Sequence, residues 1–384
     1  MKTVAVIFGG RSAEHDVSII TGLASIIKPL ELTGEYRVEA VYISKDGSWY
    51  WDDRLKDITL FQAGGIDEFI SKAPKVHLLF ENGLTLVKSS QFAGRKMYRA
   101  IDVVFPAMHG TYGEDGALMG LLDMAGVPYV GCGVAASAVA MDKILCKQVT
   151  SAEAIPTTPW IWFNATELAG QPATVLARIA GLNYPLFVKP ALLGSSIGIT
   201  RVTEPAQLMN ALEVATHFGD RVIVEQAVAN LVEVTVPIMG NDQPVAAFVE
   251  QPLTQPDDFF DFEAKYLHGG KKGGGKQGSQ GYSQIPADLP TELYAEAEAL
   301  ALQVYRVLGC SGIARVDLLI DAKSQAVYFN EVNPMPGSLY AHNWRQKGVS
   351  GHQLVSQLIA LAFARHANRQ RLQTSFHTNF LKQF

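Results

Sequence analysis

Gly312–Asn333 reads GIARVDLLIDAKSQAVYFNEVN. Two apolar runs, "GIARVDLLID" and "AVYFNEVN", flank a short polar stretch, so the segment reads as two adjacent strands. Residues two apart on a strand share a face, which places Arg315 with Asp317 and Glu331 with Asn333. Side by side, the two strands bring Asp317, Glu331 and Asn333 together. All three offer oxygen donors that suit Mg²⁺, especially where phosphate oxygens complete the shell. A plain cluster of strand-end charges fits the same pattern. Arg315 likewise has two readings, as a clamp on a phosphoryl group or oxyanion and as a salt bridge to one of the acids.

Outward from this pair the chain divides into three regions. "TVAVIF" near the N-terminus is an uninterrupted apolar run, as in a buried parallel strand. Further strands ("YRVEAVYIS", "AIDVVFPAMHG") alternate with helical stretches ("IITGLASIIKPL", "GALMGLLDMAG"). Residues 1–135 therefore read as an open, mainly parallel, Rossmann-like α/β domain, whose ligands bind at the turns that follow strands. Residues 136–230 read as a small α+β unit around "YPLFVKPALLGSSIGITRV". There Lys189 faces a Gly-Ser-Ser turn whose backbone can approach a phosphate, although such a hairpin is also an ordinary turn. Residues 231–384 hold "VEVTVPIMG", "PVAAFVE", a long helix, the opening strand pair and a last helix. Within this third region residues 269–281 contain seven Gly and three Lys, the composition of a linker.

Composition excludes several classes. The chain has 384 residues, 48% of them hydrophobic, and a net charge of −5, so no basic footprint points to nucleic acid. No apolar run reaches about 18 residues, and the N-terminal run is too short for a signal-peptide core. Cys132, Cys146 and Cys310 lack metal-ligand spacing, and an odd number of cysteines favours a reducing compartment. A cytoplasmic protein without membrane partners is expected. There is no Walker A pattern, no G-x-G-x-x-G, no G-x-S-x-G and no H-E-x-x-H.

Seven motifs stand in order: "GGRSAEHDVS", "HGTYGEDG", "PYVGCGVAASAVAMDK", "FVKPALLGSSIGI", "FEAKY", "GIARVDLLID" and "NEVNPMPG". Together they resemble the D-alanine–D-alanine ligases of the ATP-grasp superfamily, through about residue 365. The resemblance implies a three-domain fold whose two α+β subdomains clamp ATP. It also implies the family's reaction, in which ATP phosphorylates one D-alanine carboxylate and the amine of a second D-alanine attacks the acyl phosphate. The product dipeptide serves peptidoglycan. Such chemistry needs cations to bring like charges together, an oxyanion clamp and shielding from water.

By resemblance, Lys143, Lys189 and Lys265 hold ATP phosphates, Glu225 meets the adenine amino group beside the Gln226 and Val228 backbone, and Glu233 meets the ribose. Asp317, Glu331 and Asn333 are implied to hold two Mg²⁺ ions, for which Mn²⁺ can substitute. Arg315 and the Gly337 N–H form the oxyanion clamp. Glu14 pairs with the first substrate's ammonium, His109 and Glu114 line that pocket, and Ser195 and Tyr266 link Glu14 to a lid at 265–287. Taken singly, Glu14 and His109 are equally solvated loop residues and Tyr266 lid packing. The family suggests a homodimer.

One stretch departs from the family. Where it usually reads "NTxPGFTxxSxxP", this chain has "NPMPGSLYAHNW". His342 stands at the Ser that receives the second substrate's carboxylate, followed by Asn343. Either these side chains take over that carboxylate, or the turn is repacked on Trp344. The Lys265–Tyr266 pair favours an amine acceptor over D-lactate. D-Ser, D-lactate or another amino acid as acceptor, and a nucleotide-binding relative without turnover, are the alternative functions.

Overall fold

The computed structural model describes residues 1–62, 64–81, 83–89, 96–253, 283–373 and 379–384. Lys265, Tyr266 and most of the expected lid lie outside the described residues. The N-terminal region runs β1 (Lys2–Gly9), β2 (Tyr36–Ile43), β3 (Trp49–Trp51), an antiparallel meander of β4 (Val76–Leu79), β5 (Leu84–Ser89) and β6 (Lys96–Ile101), and then β7 (Val103–Pro106). Its main sheet has the order β3-β2-β1-β7, with β1 parallel to both β2 and β7. The uninterrupted apolar run of β1 is explained by burial on both faces. Val4, Val6 and Phe8 face a core with Leu23, Ile26, Ile27 and the C-terminal helix, whereas Ala5 and Ile7 face Leu118, Met119 and Leu122. The meander escapes sequence reading because β6 alternates poorly, with Met97 and Tyr98 exposed.

In the central region, β8 (Trp160–Asn164), β9 (Leu186–Pro190), β10 (Thr200–Val202) and β11 (Arg221–Gln226) form an antiparallel sheet in the order β10-β9-β11-β8. Its core is its own: Phe163, Val188 and Val224 pack on Val175 and Ile179 of the helix Pro172–Ile179 and on Leu212 of the helix Leu208–Phe218.

The third region contains β12 (Leu231–Gly240), β13 (Val245–Ala246), a short pair β14 (Gln251–Pro252) and β15 (Ser283–Gln284), then β16 (Gly312–Asp321) and β17 (Val327–Asn333). Its sheet has the order β13-β12-β16-β17. "PVAAFVE" is not one strand as read, since pairing stops at Ala246 and Glu250 returns to bond Thr235. The helices Val134–Met141, Lys143–Ala152 and Thr291–Val307 cover the back of this sheet. A register shift beside Asp317–Glu331 leaves Asn330 as an extra residue in β17. The bulge keeps both Phe329 and Val332 in the core while Glu331 and Asn333 stay on the other face.

The N-terminal and third regions are fastened together. Arg365 of the helix Gly351–Gln370 donates to the carbonyls of Tyr129 and Gly131 and to Ser311. Gly312 has φ +72°, and a Cβ there would lie 2.9 Å from the Gly131 nitrogen. Gly312→Ala is expected to cost about 2–4 kcal/mol, combining a left-handed backbone with a backbone clash. Urea denaturation with an unchanged m-value checks this.

Candidate active site

The loop after β1 is held by side chains that leave Glu14 directed inward. Gly9 N–H donates to the Ser18 hydroxyl (2.8 Å), which donates to the Ala107 carbonyl (2.8 Å). The buried His15 ring spans the Gly10 carbonyl and the Tyr42 hydroxyl. Glu14 accepts a short hydrogen bond from Ser195, in the turn after β9. Gly110 has φ +69°, and a Cβ there would come within 2.8 Å of Glu14 Oε2, so the bare backbone allows the approach. Burial raises the Glu14 pKa, Glu114 adds to the rise, and the Ser195 bond opposes it. Glu114 accepts from Gly110 N–H at 2.7 Å and lies 3.7 Å from His109, whose other ring nitrogen meets Thr21 Oγ1 at 2.9 Å. Thr21 opens a π-helical stretch, Thr21–Ile27, and also accepts from Ser338 N–H at 3.1 Å. Such stretches recur at functional sites.

Three lysines gather behind the Gly-Ser-Ser turn. Asp142 caps the helix Lys143–Ala152 by accepting from Ile144 and Leu145 N–H, which sets Lys143 and Lys147 one turn apart. Lys143 Nζ donates to the Leu193 carbonyl at 2.6 Å, and burial lowers its pKa. Lys147 and Lys189 each sit 2.6 Å from a different oxygen of Glu225. Burial alone would raise the Glu225 pKa, but the two ammoniums hold it at about 2. Burial also disfavours the Lys189 ammonium, and Glu225 outweighs that cost.

The sheet of the third region supplies the acids. Pairing sets Arg315 opposite Asn333, Asp317 opposite Glu331, and Asp317 opposite Thr235 of β12, so these side chains share the face that also carries Glu233. Arg315 makes a two-pronged bond to Asp317 at 2.6 and 2.5 Å, the second of the two readings its position allowed. Asn333 Nδ2 donates to Asp317 at 3.1 Å. Beyond Gly337, Ser338, Leu339 and Tyr340 have φ of 51°, 55° and 49°, a left-handed run without glycine. Buried Leu339 and Trp344 hold it, and the Tyr340 ring lies 5.1 Å from the Arg315 guanidinium.

Glu14, Glu114, Lys143, Ser195, Glu331 and Asn333 line one cavity. Lys189 pairs with Glu225, and Arg315 separately with Asp317. Gln226 is engaged through its side chain with Asn183 and through its N–H with Pro159, and Val228 is half-buried beside it. His342 and Asn343, expected either at the acceptor carboxylate or in a repacked turn, both engage Glu250. His342 Nε2 lies 2.9 Å from both oxygens of buried Glu250, and fully buried Asn343 bonds Glu250 and both backbone groups of Phe248. The turn is repacked with Trp344 as its anchor. Sequence reasoning missed Thr21, Lys147, Glu250 and Tyr340. Only Lys147 carries a local signal, its four-residue spacing from Lys143.

Two antiparallel sheets facing each other across cationic and acidic side chains, set against a parallel-sheet domain, define an ATP-grasp enzyme. Comparison with known proteins narrows this. The family described as "D-ala D-ala ligase N-terminus" matches residues 3–132, and "D-ala D-ala ligase C-terminus" matches residues 149–360. D-alanine--D-alanine ligase of Acetivibrio thermocellus is 37% identical over 95% of this chain and 96% of its own. That of Chlorobium limicola is 38% identical over 94% and 96%. Among solved structures, the D-alanine-D-alanine ligase from Coxiella burnetii has a TM-score of 0.77 at 28% identity, covering 97% of this chain and 98% of that one. The VanG D-Ala:D-Ser ligase from Enterococcus faecalis has 0.75 at 30%, covering 94% and 99%. The chain belongs to the D-alanine–D-alanine ligase family.

Removing the Ser195 hydroxyl takes away the bond that holds the Glu14 pKa down. Ser195→Ala is therefore expected to raise that pKa further, with ionisation moving to higher pH. Carboxyl ¹³C NMR titration of Glu14 checks the direction.

Proposed function

We propose that this chain joins two D-alanines into D-alanyl-D-alanine at the expense of ATP, through an acyl phosphate, as a cytoplasmic homodimer supplying peptidoglycan precursors. The observation that carries the reading is the single cavity in which the Glu14–Ser195 pair faces Lys143, Glu331 and Asn333, in a chain of this family. Glu14 is an acceptor for the first D-alanine's ammonium, with His109 and Glu114 as the pocket wall. Lys143 and Lys189 offer cations to the phosphates, with Lys265 from outside the described residues. Glu225 accepts from the adenine amino group beside the Gln226 and Val228 backbone, and Glu233 takes the ribose.

Asp317, Glu331 and Asn333 fit a hard divalent cation, since two carboxylates and an amide oxygen share one sheet face. Bound there, Mg²⁺ would offset the negative charge between phosphate and carboxylate, and Mn²⁺ would substitute. Arg315, now on Asp317, and the Gly337 N–H would stabilise the oxyanion that forms when the second amine attacks. Tyr266 would extend the Glu14–Ser195 link. His342 and Asn343 are not carried into this reading, because Glu250 engages both.

Purified protein with ATP, Mg²⁺ and D-alanine is expected to release phosphate and give D-Ala-D-Ala as the dominant product by mass, even with D-serine and D-lactate competing. No phosphate with any acceptor would overturn the enzyme reading, and a dominant mixed product would overturn the acceptor. Glu331→Gln should lower kcat by about 10²–10³-fold or more. His342→Ala strips one partner from a buried carboxylate and should cost about 3 kcal/mol of stability. The acceptor KM should stay within about twofold, read from steady-state kinetics. A raised KM at unchanged stability would return His342 to the acceptor carboxylate.

A further inference from the structure

We infer that Lys147 is a positioning residue for nucleotide selection: it keeps Glu225 a pure hydrogen-bond acceptor and so sets a preference for a 6-amino over a 6-oxo purine. This rests on the reading that Glu225 meets the base.

One carboxylate holds two ammoniums here. Lys147 is 2% exposed, on Oε1, and shares that oxygen with the Thr158 hydroxyl at 3.4 Å. Lys189 is more open, at 13% of its side chain, on Oε2. Burying a second lysine costs desolvation that one ion pair with Lys189 would avoid. The arrangement makes sense if Lys189 has another task. A phosphate drawing on Lys189 would leave Glu225 buried beside an incoming base, and burial favours protonation. Lys147 cannot be drawn away in the same manner, because it is covered. The more distant charges felt in this cluster are Lys143, Glu331 and Glu233.

Protonation of Glu225 would reverse its meaning. An ionised carboxylate only accepts, which suits a 6-amino group and repels a 6-oxo group. A protonated one donates as well and tolerates the oxo group. Lys147 thereby acts on base choice without touching the base.

The test compares kcat/KM for ATP and for ITP in the full-length protein, with thermal melting of each variant alongside. Lys147→Met should narrow the ATP-over-ITP ratio by about tenfold or more. Lys147→Arg restores the charge and should keep the ratio within about threefold of wild type. Glu225→Gln, whose amide both donates and accepts, should narrow it too. If Glu225→Gln leaves the ratio unchanged, Glu225 does not read the base and the underlying reading fails. If Glu225→Gln narrows it and Lys147→Met does not, the role of Lys147 alone is overturned. Should Lys147→Met not fold, the wild-type ratio decides. It should stay flat from about pH 8 to about pH 5, and a fall towards ITP tolerance at the acidic end would overturn the inference.

Discussion

Two demands meet in β16 and β17. Behind, the strands must seal an apolar core of Val316, Leu318, Phe329 and Val332. In front, they must present Arg315, Asp317, Glu331 and Asn333 together. Strict alternation cannot satisfy both in β17, because Phe329 and Val332 are three apart and would fall on opposite faces. One bulged residue, Asn330, resolves the conflict, and its backbone irregularity sits where the chemistry is concentrated. The Ser195 turn of the central region and the Glu14 loop are arranged against that ionic face, and Lys143 reaches it from the start of its helix.

Much of this was legible in the chain itself. The apolar run of β1 announced a strand buried on both sides, and the alternation in "ARVDLLID" announced a sheet with one polar face. Pairing partners were less accessible. That Arg315 would lie on Asp317 follows from their sharing a strand face, yet the same geometry allowed either residue to serve a ligand. The partner of His342 could not be read, because Glu250 lies 92 residues away along the chain. A lone Glu inside "PVAAFVE" gives no sign that it will be buried beneath an imidazole and an amide. Thr21 and Tyr340 were hidden for a related reason, since their importance lies in a π-helical stretch and a left-handed run that no periodicity encodes.

Charge explains why the cleft is organised before any ligand arrives. Lys143, Lys147 and Lys189 lie close together, Lys147 and Lys189 on Glu225 and Lys143 on the Leu193 carbonyl, so cationic charge is held in a region of low solvent access. Burial lowers the Lys143 pKa, as expected for an ammonium that accepts desolvation ahead of an anionic partner. Across the cleft, burial and then the neighbouring Glu114 raise the cost of ionising Glu14, a burden that an ammonium on the ligand would relieve. Each side is therefore poised for the opposite sign of charge.

The Arg365 clasp has a mechanical meaning. By gripping Tyr129 and Gly131 while riding on a helix packed into the N-terminal core, it removes relative freedom between the first and third regions. The central sheet has a core of its own and meets the lysine helix through a small patch of Ile144, Ala191 and Ile223. Three folding units thus make two mechanical parts, a broad stator and one narrow jaw. The jaw carries Lys189, Ser195 and Glu225, so any opening of the cleft separates Ser195 from Glu14 and Glu225 from Lys147 in one motion.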